Sequence, residues 1–252
     1  MLWCLGMQAS ASTWIYNVAL KLAPILAPEV PAKGSFVGFR GRLGYLADER
    51  LLHIVKSHGV DAPTTAELER RAKSIVMSIR DPRDAVASLM LYHDEDFRQA
   101  LTEVVRSAET CLRLAADQRT LLLRYETGFT DDPATIDRLA GSFGRPVPPA
   151  ERDRIFAESR RGAIEKLIDQ IEELPTAKRI GTDLLDSTTQ WHRLHAGRTG
   201  EVGKWRRTLT DSQVGRIEAR LQDWMAGFGY APSRPPGLVA RLMKLARRPD
   251  AA

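Results

Sequence analysis

Short apolar runs alternating with helical periodicities set the pattern of the chain. Leu2, Trp3, Cys4 and Leu5 form the first run, which reads as a buried strand. Gly6 allows a tight turn, and small or polar residues follow at Ala9, Ser10, Ala11, Ser12 and Thr13. From Trp14 the apolar positions Ile15, Val18, Ala19 and Leu22 recur at helical spacing, with Pro24 and Pro28 expected to end that helix. The segment 27–47 mixes Pro28, Pro31, Gly34, Gly38, Gly41 and Gly44 with Phe36, Phe39 and Tyr45, and reads as an irregular excursion whose aromatics are available to line a pocket.

A second run, Leu51, Leu52, Ile54 and Val55, ends in Lys56-Ser57-His58-Gly59, and a helix rich in Glu and Arg follows Pro63 and Thr64. Ile75, Val76, Met77 and Ile79 make a third strand ending at Arg80, after which Asp81 is placed to cap a helix with Pro82 at its first position. A longer helix is expected from Phe97 to about Ala116, and Leu121, Leu122 and Leu123 form a fourth strand ending near Arg124-Tyr125-Glu126. Helices over 133–143 and within 151–173 follow, then a helix from Val214 to Met225 with Ile217, Leu221 and Trp224 on one face. Strands alternating with helices predict an α/β fold with a largely parallel central sheet flanked by helices, in one domain over 1–252. In such folds ligands bind beyond the carboxyl ends of the strands, where Ala9 to Thr13, Lys56 to His58, Arg80 and Tyr125 all fall.

Composition narrows the classes. The chain has 252 residues, 43% of them apolar and 27% charged, as in ordinary globular proteins. No apolar run approaches the ~20 residues of a membrane helix, and the N-terminus has no secretory pattern, so a cytoplasmic enzyme is the expectation. Cys4 and Cys111 read as small core residues rather than a disulfide or metal site. The formal charge of +5 suits an anionic ligand, while the interspersed acids argue against nucleic acid. The tail 236–248 is basic and amphipathic; it reads as a terminal helix docked on the domain, with peripheral membrane contact as the alternative.

Strand, small-residue loop and helix start together make the geometry that holds a phosphate or sulfate, a P-loop-like three-layer arrangement. The match to G-x-x-x-x-G-K-S/T is partial: read from Gly6, Ala11 stands at the second glycine, Ser12 at the lysine and Thr13 at the last position.

Four separated motifs resemble, in order, those of the sulfotransferases that use 3′-phosphoadenosine 5′-phosphosulfate (PAPS). Gly6 to Trp14 resembles the loop P-K-S-G-T-T-W, and Lys56-Ser57-His58 the K-T-H segment with the catalytic histidine. Arg80-Asp81-Pro82-Arg83-Asp84-Ala85-Val86-Ala87-Ser88 resembles R-N/D-P-x-D-x-x-x-S, and Arg198-Thr199-Gly200-Glu201-Val202-Gly203-Lys204-Trp205-Arg206 resembles R-x-G-x-x-G-x-W-K/R. Leu123-Arg124-Tyr125-Glu126 is similar to the family's Y-E-D strand end.

The resemblance implies sulfuryl transfer from PAPS, with 3′-phosphoadenosine 5′-phosphate (PAP) as product and no metal. Ser12 and Thr13, with backbone N–H groups from Ser10 through Ala11, would hold the 5′-phosphosulfate. Trp14 would stack on adenine, Tyr125 would contact the adenosine, and Arg80, Ser88, Arg198, Thr199 and Gly200 would hold the 3′-phosphate. His58 would accept the acceptor's proton while Lys56 faces the sulfuryl or bridge oxygens, since alternate residues of an extended segment face the same way.

Two departures stand out. Ala9 and Ala11 replace the loop lysine and glycine, and losing one such electrostatic donor costs on the order of 3 kcal/mol, so Lys56 is expected to take the role. In the dimerisation pattern K-x-x-x-T-V-x-x-x-E, Arg206 and Thr210 fit but Asp211 and Gly215 do not, and dimerisation through it is not implied. Phe36, Phe39, Tyr45, Tyr92 and Phe97 are candidates for the apolar rim of an acceptor pocket for a hydroxylated small molecule, a lipid-like compound or a sugar. Two other classes remain: a P-loop kinase, which would need the absent lysine and a metal-binding Asp, and a catalytically weakened PAPS- or PAP-binding protein, which would explain Ala9 directly.

Overall fold

The computed structural model of the protein describes residues 1–39, 43–93, 95–181, 183–194 and 200–233. Five parallel strands, β1 (Leu2–Gly6), β2 (Ala32–Val37), β3 (Leu52–Ser57), β4 (Ser74–Ile79) and β5 (Thr120–Arg124), form a sheet in the order β2-β3-β1-β4-β5. β1 is central and buried along its whole length, and its side chains alternate between two cores. Leu2 and Cys4, with Ile54, Val76 and Leu123, pack under helix α1 (Ser12–Leu26). Trp3 and Leu5, with Val55, Ile75, Met77 and Ile79, face the opposite layer. Trp3 buries its ring without stranding its polar edge, because Nε1 donates to Ser57 Oγ on β3 at 2.8 Å.

The opposite layer holds α2 (Ala62–Arg71), α3 (Pro82–Tyr92) and α4 (Phe97–Leu114). Their starts follow from local chemistry. Asp61 accepts from Thr64 N at 2.9 Å, Asp81 accepts from Arg83 N at 2.9 Å with Pro82 behind it, and Asp96 forms a capping box with Gln99. On the α1 side lie α5 (Ala134–Gly141) and α6 (Pro149–Ser159), followed by α7 (Arg161–Asp169). An antiparallel hairpin, β6 (Ala177–Ile180) and β7 (Asp183–Asp186), precedes α8 (Trp205–Thr208), α9 (Asp211–Arg220) and α10 (Gln222–Gly227).

Several expectations change. The 27–47 excursion is half regular, since β2 adds to β3 in register from Ala32↔Leu52 to Val37↔Ser57. α1 runs through Pro24 to Leu26, because a proline in the last turn displaces little of a helix about to end. The helix expected over 214–225 is two helices, broken at Leu221, whose backbone leaves the helical region at φ −118°. Thr210, from the dimerisation pattern, instead caps α9 through Gln213. The tail 236–248 lies outside the described residues. No helix among the described residues is long and apolar enough to cross a membrane.

The strand order switches sides at β1, with β3 on one side and β4 on the other, which opens a crevice at the carboxyl ends of these three parallel strands. The loop after β3 closes one wall by packing on α4: a Cβ at Gly59 would stand 2.6 Å from the Arg106 carbonyl carbon and 2.7 Å from Ser107 N. Backbone cannot yield cheaply, so Gly59→Ala should lower unfolding free energy by about 1–3 kcal/mol, read as a reduced urea midpoint.

Candidate functional site

The carboxyl ends of β1, β3 and β4 open into a cavity of about 430 Å³. It is lined by Ser10, Ala11, Ser12, Thr13, Trp14, Lys56, His58, Arg80, Ser88, Tyr125 and Gly200, so the sheet brings together every sequence-predicted site residue that the structure describes. Arg198, Thr199 and His195 lie outside the described residues.

The turn from β1 into α1 is tight. Ser12 and Ser78 leave no room for a side chain at Gly6. Ala9 (φ 55°) and Ala11 (φ 65°) are both left-handed, a conformation the sequence assigns to alanine where glycine would enter freely. Ala11 provides no side-chain cap, and no acid stands in the first turn of α1. The first N–H groups of the helix therefore face the cavity without intrahelical partners, at the positive end of its dipole. Ser10 differs from its expected role. Its N–H donates to Met7 O at 3.3 Å, and its hydroxyl donates to the same carbonyl at 2.6 Å, so it pins the loop from inside. Trp14 is 3% exposed, donates Nε1 to Ser159 O at 2.9 Å and meets Phe129 edge-on.

Lys56 and His58 reach the cavity from one face of β3 and its extension. His58 Nδ1 lies 2.8 Å from Gly6 O. A carbonyl only accepts, so Nδ1 carries the proton and Nε2 keeps its lone pair. Burial first, then the Lys56 charge, pushes the imidazole down to about 3. Lys56 is 4% exposed, its ammonium 5.4 Å from the Phe36 ring centroid, and burial lowers it to about 7. Of the five aromatics expected at the rim, Phe36 and Tyr92 line the cavity. Phe39 lies under the Arg106 guanidinium, Tyr45 donates to Ser35 Oγ and Phe97 packs against the core.

Arg80 donates Nη1 to Ala9 O at 3.1 Å and Nη2 to Glu201 O at 2.7 Å, with its guanidinium 4.1 Å from the Tyr125 ring centroid. Its Nε is buried with no partner among the described residues. Asp84, in the first turn of α3, is fully buried and does more than favour a helix start. It accepts from Gly203 N at 2.6 Å and Trp205 N at 3.0 Å, and it lies 3.9 Å from Arg80 Nη2. It thus ties the 200–205 loop over the end of β4. Gly200 has φ 57°, and Arg161 leaves no room for a side chain there.

Sequence reasoning gave no role to Arg161, Ser159, Lys204, His93 or His192, all of which line the cavity. His192 Nδ1 lies 2.9 Å from Asp183 Oδ2, and burial pushes His93 down to about 4. The only sequence signal for Lys204 is its place inside the last motif, at a position the pattern leaves open; Ser159 and Arg161 sit at a helix junction with no local signature.

A sulfotransferase-domain family model matches residues 41–229, more than half of the chain. The chain belongs to the sulfotransferase family. The crystal structure of mouse sulfotransferase SULT7A1 complexed with PAP shares the fold at 13% identity and TM-score 0.59, over 97% of this chain and 88% of that one. Retinol dehydratase complexed with androsterone and inactive cofactor PAP is similar at 15% identity and TM-score 0.55, over 94% of this chain and 83% of that one. A retinol dehydratase complex with retinol and PAP gives 15% and 0.54, over 93% and 83%. No curated protein matches the sequence. Membership in this family sets aside the kinase alternative.

The left-handed alanines make one local expectation for this sulfotransferase. Ala11→Gly should raise unfolding free energy by up to about 1 kcal/mol, the left-handed strain relieved less the added chain entropy, measured by urea denaturation.

Proposed function

We propose that this sulfotransferase moves the sulfuryl group of PAPS to a hydroxyl of a small, partly apolar acceptor, with His58 as proton acceptor. The observation that carries the reading is a half-buried imidazole with a fixed tautomer beside a buried lysine, at the mouth of an uncapped helix. The donor contributes an activated sulfuryl group and negative charge at both ends of its ribose. The cavity residues fit such a molecule: Arg80 Nε is buried without a partner among the described residues, and the first turn of α1 offers donors and carries no acid of its own.

In this reading the first-turn N–H groups of α1, with Ser12 and Thr13, bind the 5′ end, and Arg80, Ser88 and the Gly200 segment bind the 3′ end. Arg198 and Thr199 belong to the same grip by the motif. Trp14 and Tyr125 flank the nucleoside. Lys56 balances charge on the bridge oxygen, the role that Ala9 cannot fill. His58 Nε2 takes the acceptor proton. Lys56 is one cause of its low basicity, so an anion beside Lys56 raises the imidazole's proton affinity when it is needed. Phe36 and Tyr92 give the acceptor side an apolar edge and favour a hydroxylated small molecule, lipid-like compounds and sugars being the other acceptors of this chemistry. Cys4 and Cys111, free and buried, suit a cytoplasmic location.

The test is incubation with PAPS and a pooled acceptor library, following PAP release and mass gain on the acceptor. Acceptor-dependent release supports the reading; tight PAP binding with no release supports the second one, a binding protein weakened by Ala9. His58→Ala should cut kcat by at least about 100-fold while PAP affinity stays within a few-fold by calorimetry. Full activity would remove His58 as the base.

A pH dependence follows from Lys56. Its ammonium carries charge below about 7 and loses it above, so kcat/KM for the donor should fall as pH rises through that value. Lys56→Arg keeps the charge throughout and should remove that limb of the profile.

A further inference from the structure

Lys204 is the least compensated cation in the cavity wall outside the pair just described. It is 3% exposed, and among the described residues its Nζ forms no ion pair with a carboxylate. Its contacts are Ser88 Oγ at 2.5 Å and the Tyr92 ring, whose centroid is 4.8 Å away. A hydroxyl and a ring face do not repay the desolvation of an ammonium ion. Burial and the Arg80 charge lower its pKa to about 8, with Asp84 and Glu201 opposing. Asp84 is already shared between Arg80 and two backbone N–H groups. Two buried cations, Arg80 and Lys204, thus lie close enough for the charge of one to lower the pKa of the other, only Arg80 has a carboxylate at ion-pair distance, and the Arg80 Nε has no partner among the described residues. What such a niche lacks is a compact dianion.

We propose that Lys204 is a direct ligand of the donor's 3′-phosphate, and that it sets the preference of this enzyme for a 3′-phosphorylated nucleotide over its 3′-hydroxyl counterpart. The inference rests on the PAPS reading above and adds to it a residue whose position the family's loop pattern leaves unspecified. The fold supplies the means: Asp84 holds the Gly203 and Trp205 amides, so the residue between them is pinned against α3 with its side chain directed to Ser88. Ser88 Oγ accepts from Lys204 and keeps its own proton free for a phosphate oxygen.

The experiment compares wild type, Lys204→Met and Lys204→Arg by calorimetry against PAP and against adenosine 5′-monophosphate, which differs by the 3′-phosphate. Wild type should prefer PAP. Lys204→Met should lose roughly 10- to 100-fold of its PAP affinity, while its affinity for the monophosphate stays within about twofold. Lys204→Arg should recover most of the preference. Thermal unfolding of the unliganded proteins separates a structural role: replacing an uncompensated buried cation by methionine should leave the midpoint unchanged or higher. Equal losses for both nucleotides, an unchanged PAP affinity, or a lowered midpoint with the preference intact would each overturn the assignment of Lys204. Wild type binding PAP no better than the monophosphate would overturn the donor reading itself, and this inference with it.

Discussion

The turn between β1 and α1 is the constraint on which the site depends. Gly6 ends a strand buried on both faces, and its Cα lies so close to Ser12 and Ser78 that any side chain would displace the helix start. Two cavity side chains are fastened to the same few residues: His58 through Gly6 O, and Arg80 through Ala9 O. Helix N-terminus, imidazole and guanidinium are therefore positioned by one piece of backbone. That backbone is fixed by the sheet, because Gly6 pairs with Ser78 and Met7 N donates to Ser78 O at 2.9 Å.

Charge in the cavity is arranged against folding and in favour of binding. Lys56, Arg80 and Lys204 are each at most 4% exposed, and Asp84 is the only carboxylate given to them at ion-pair distance among the described residues. Burying cations without partners costs stability, and the cost shows in the lowered pKa values of Lys56 and Lys204. An anionic ligand recovers it, which makes binding and folding additive in this molecule. The surface pairs, such as Arg70 with Glu67 or Arg154 with Glu151, are exposed and contribute little to either.

Most of the fold was legible because β1, β3 and β4 are buried on both faces, and these three and β5 read as apolar runs. β2 escaped because it is an exposed edge strand, AKGSFV, whose glycine and lysine mimic a loop. The β6–β7 hairpin escaped because its strands are four residues long and only β7 is buried. In the site, contiguous motifs were legible wherever a strand end carries them: Lys56 and His58, Arg80, Tyr125. Residues that act by arriving from elsewhere were not. Ser159 and Arg161 come from the junction of α6 and α7, and Ser10 was expected to offer its backbone N–H, which a carbonyl of its own loop, Met7 O, accepts at 3.3 Å. Asp84 stands in the first turn of α3, where an acid is ordinary, and its second task as the tether of a loop over a hundred residues away has no local signature.

The two alanines of the turn also explain where the site puts its positive charge. A glycine at 11 and a lysine at 9 would let the loop itself reach over a ligand with a mobile cation. With Ala9 and Ala11 held left-handed, the loop offers backbone N–H groups and small side chains only. Cations then come from fixed positions elsewhere: Lys56 from a strand, Arg80 from a strand end, Lys204 from a loop pinned by Asp84. Such groups lose little entropy on binding because packing has already fixed them. The same fixity leaves them desolvated, so their charge depends on pH in a range where a loop lysine would stay protonated. Rigidity and pH sensitivity at this site are two results of one substitution pattern.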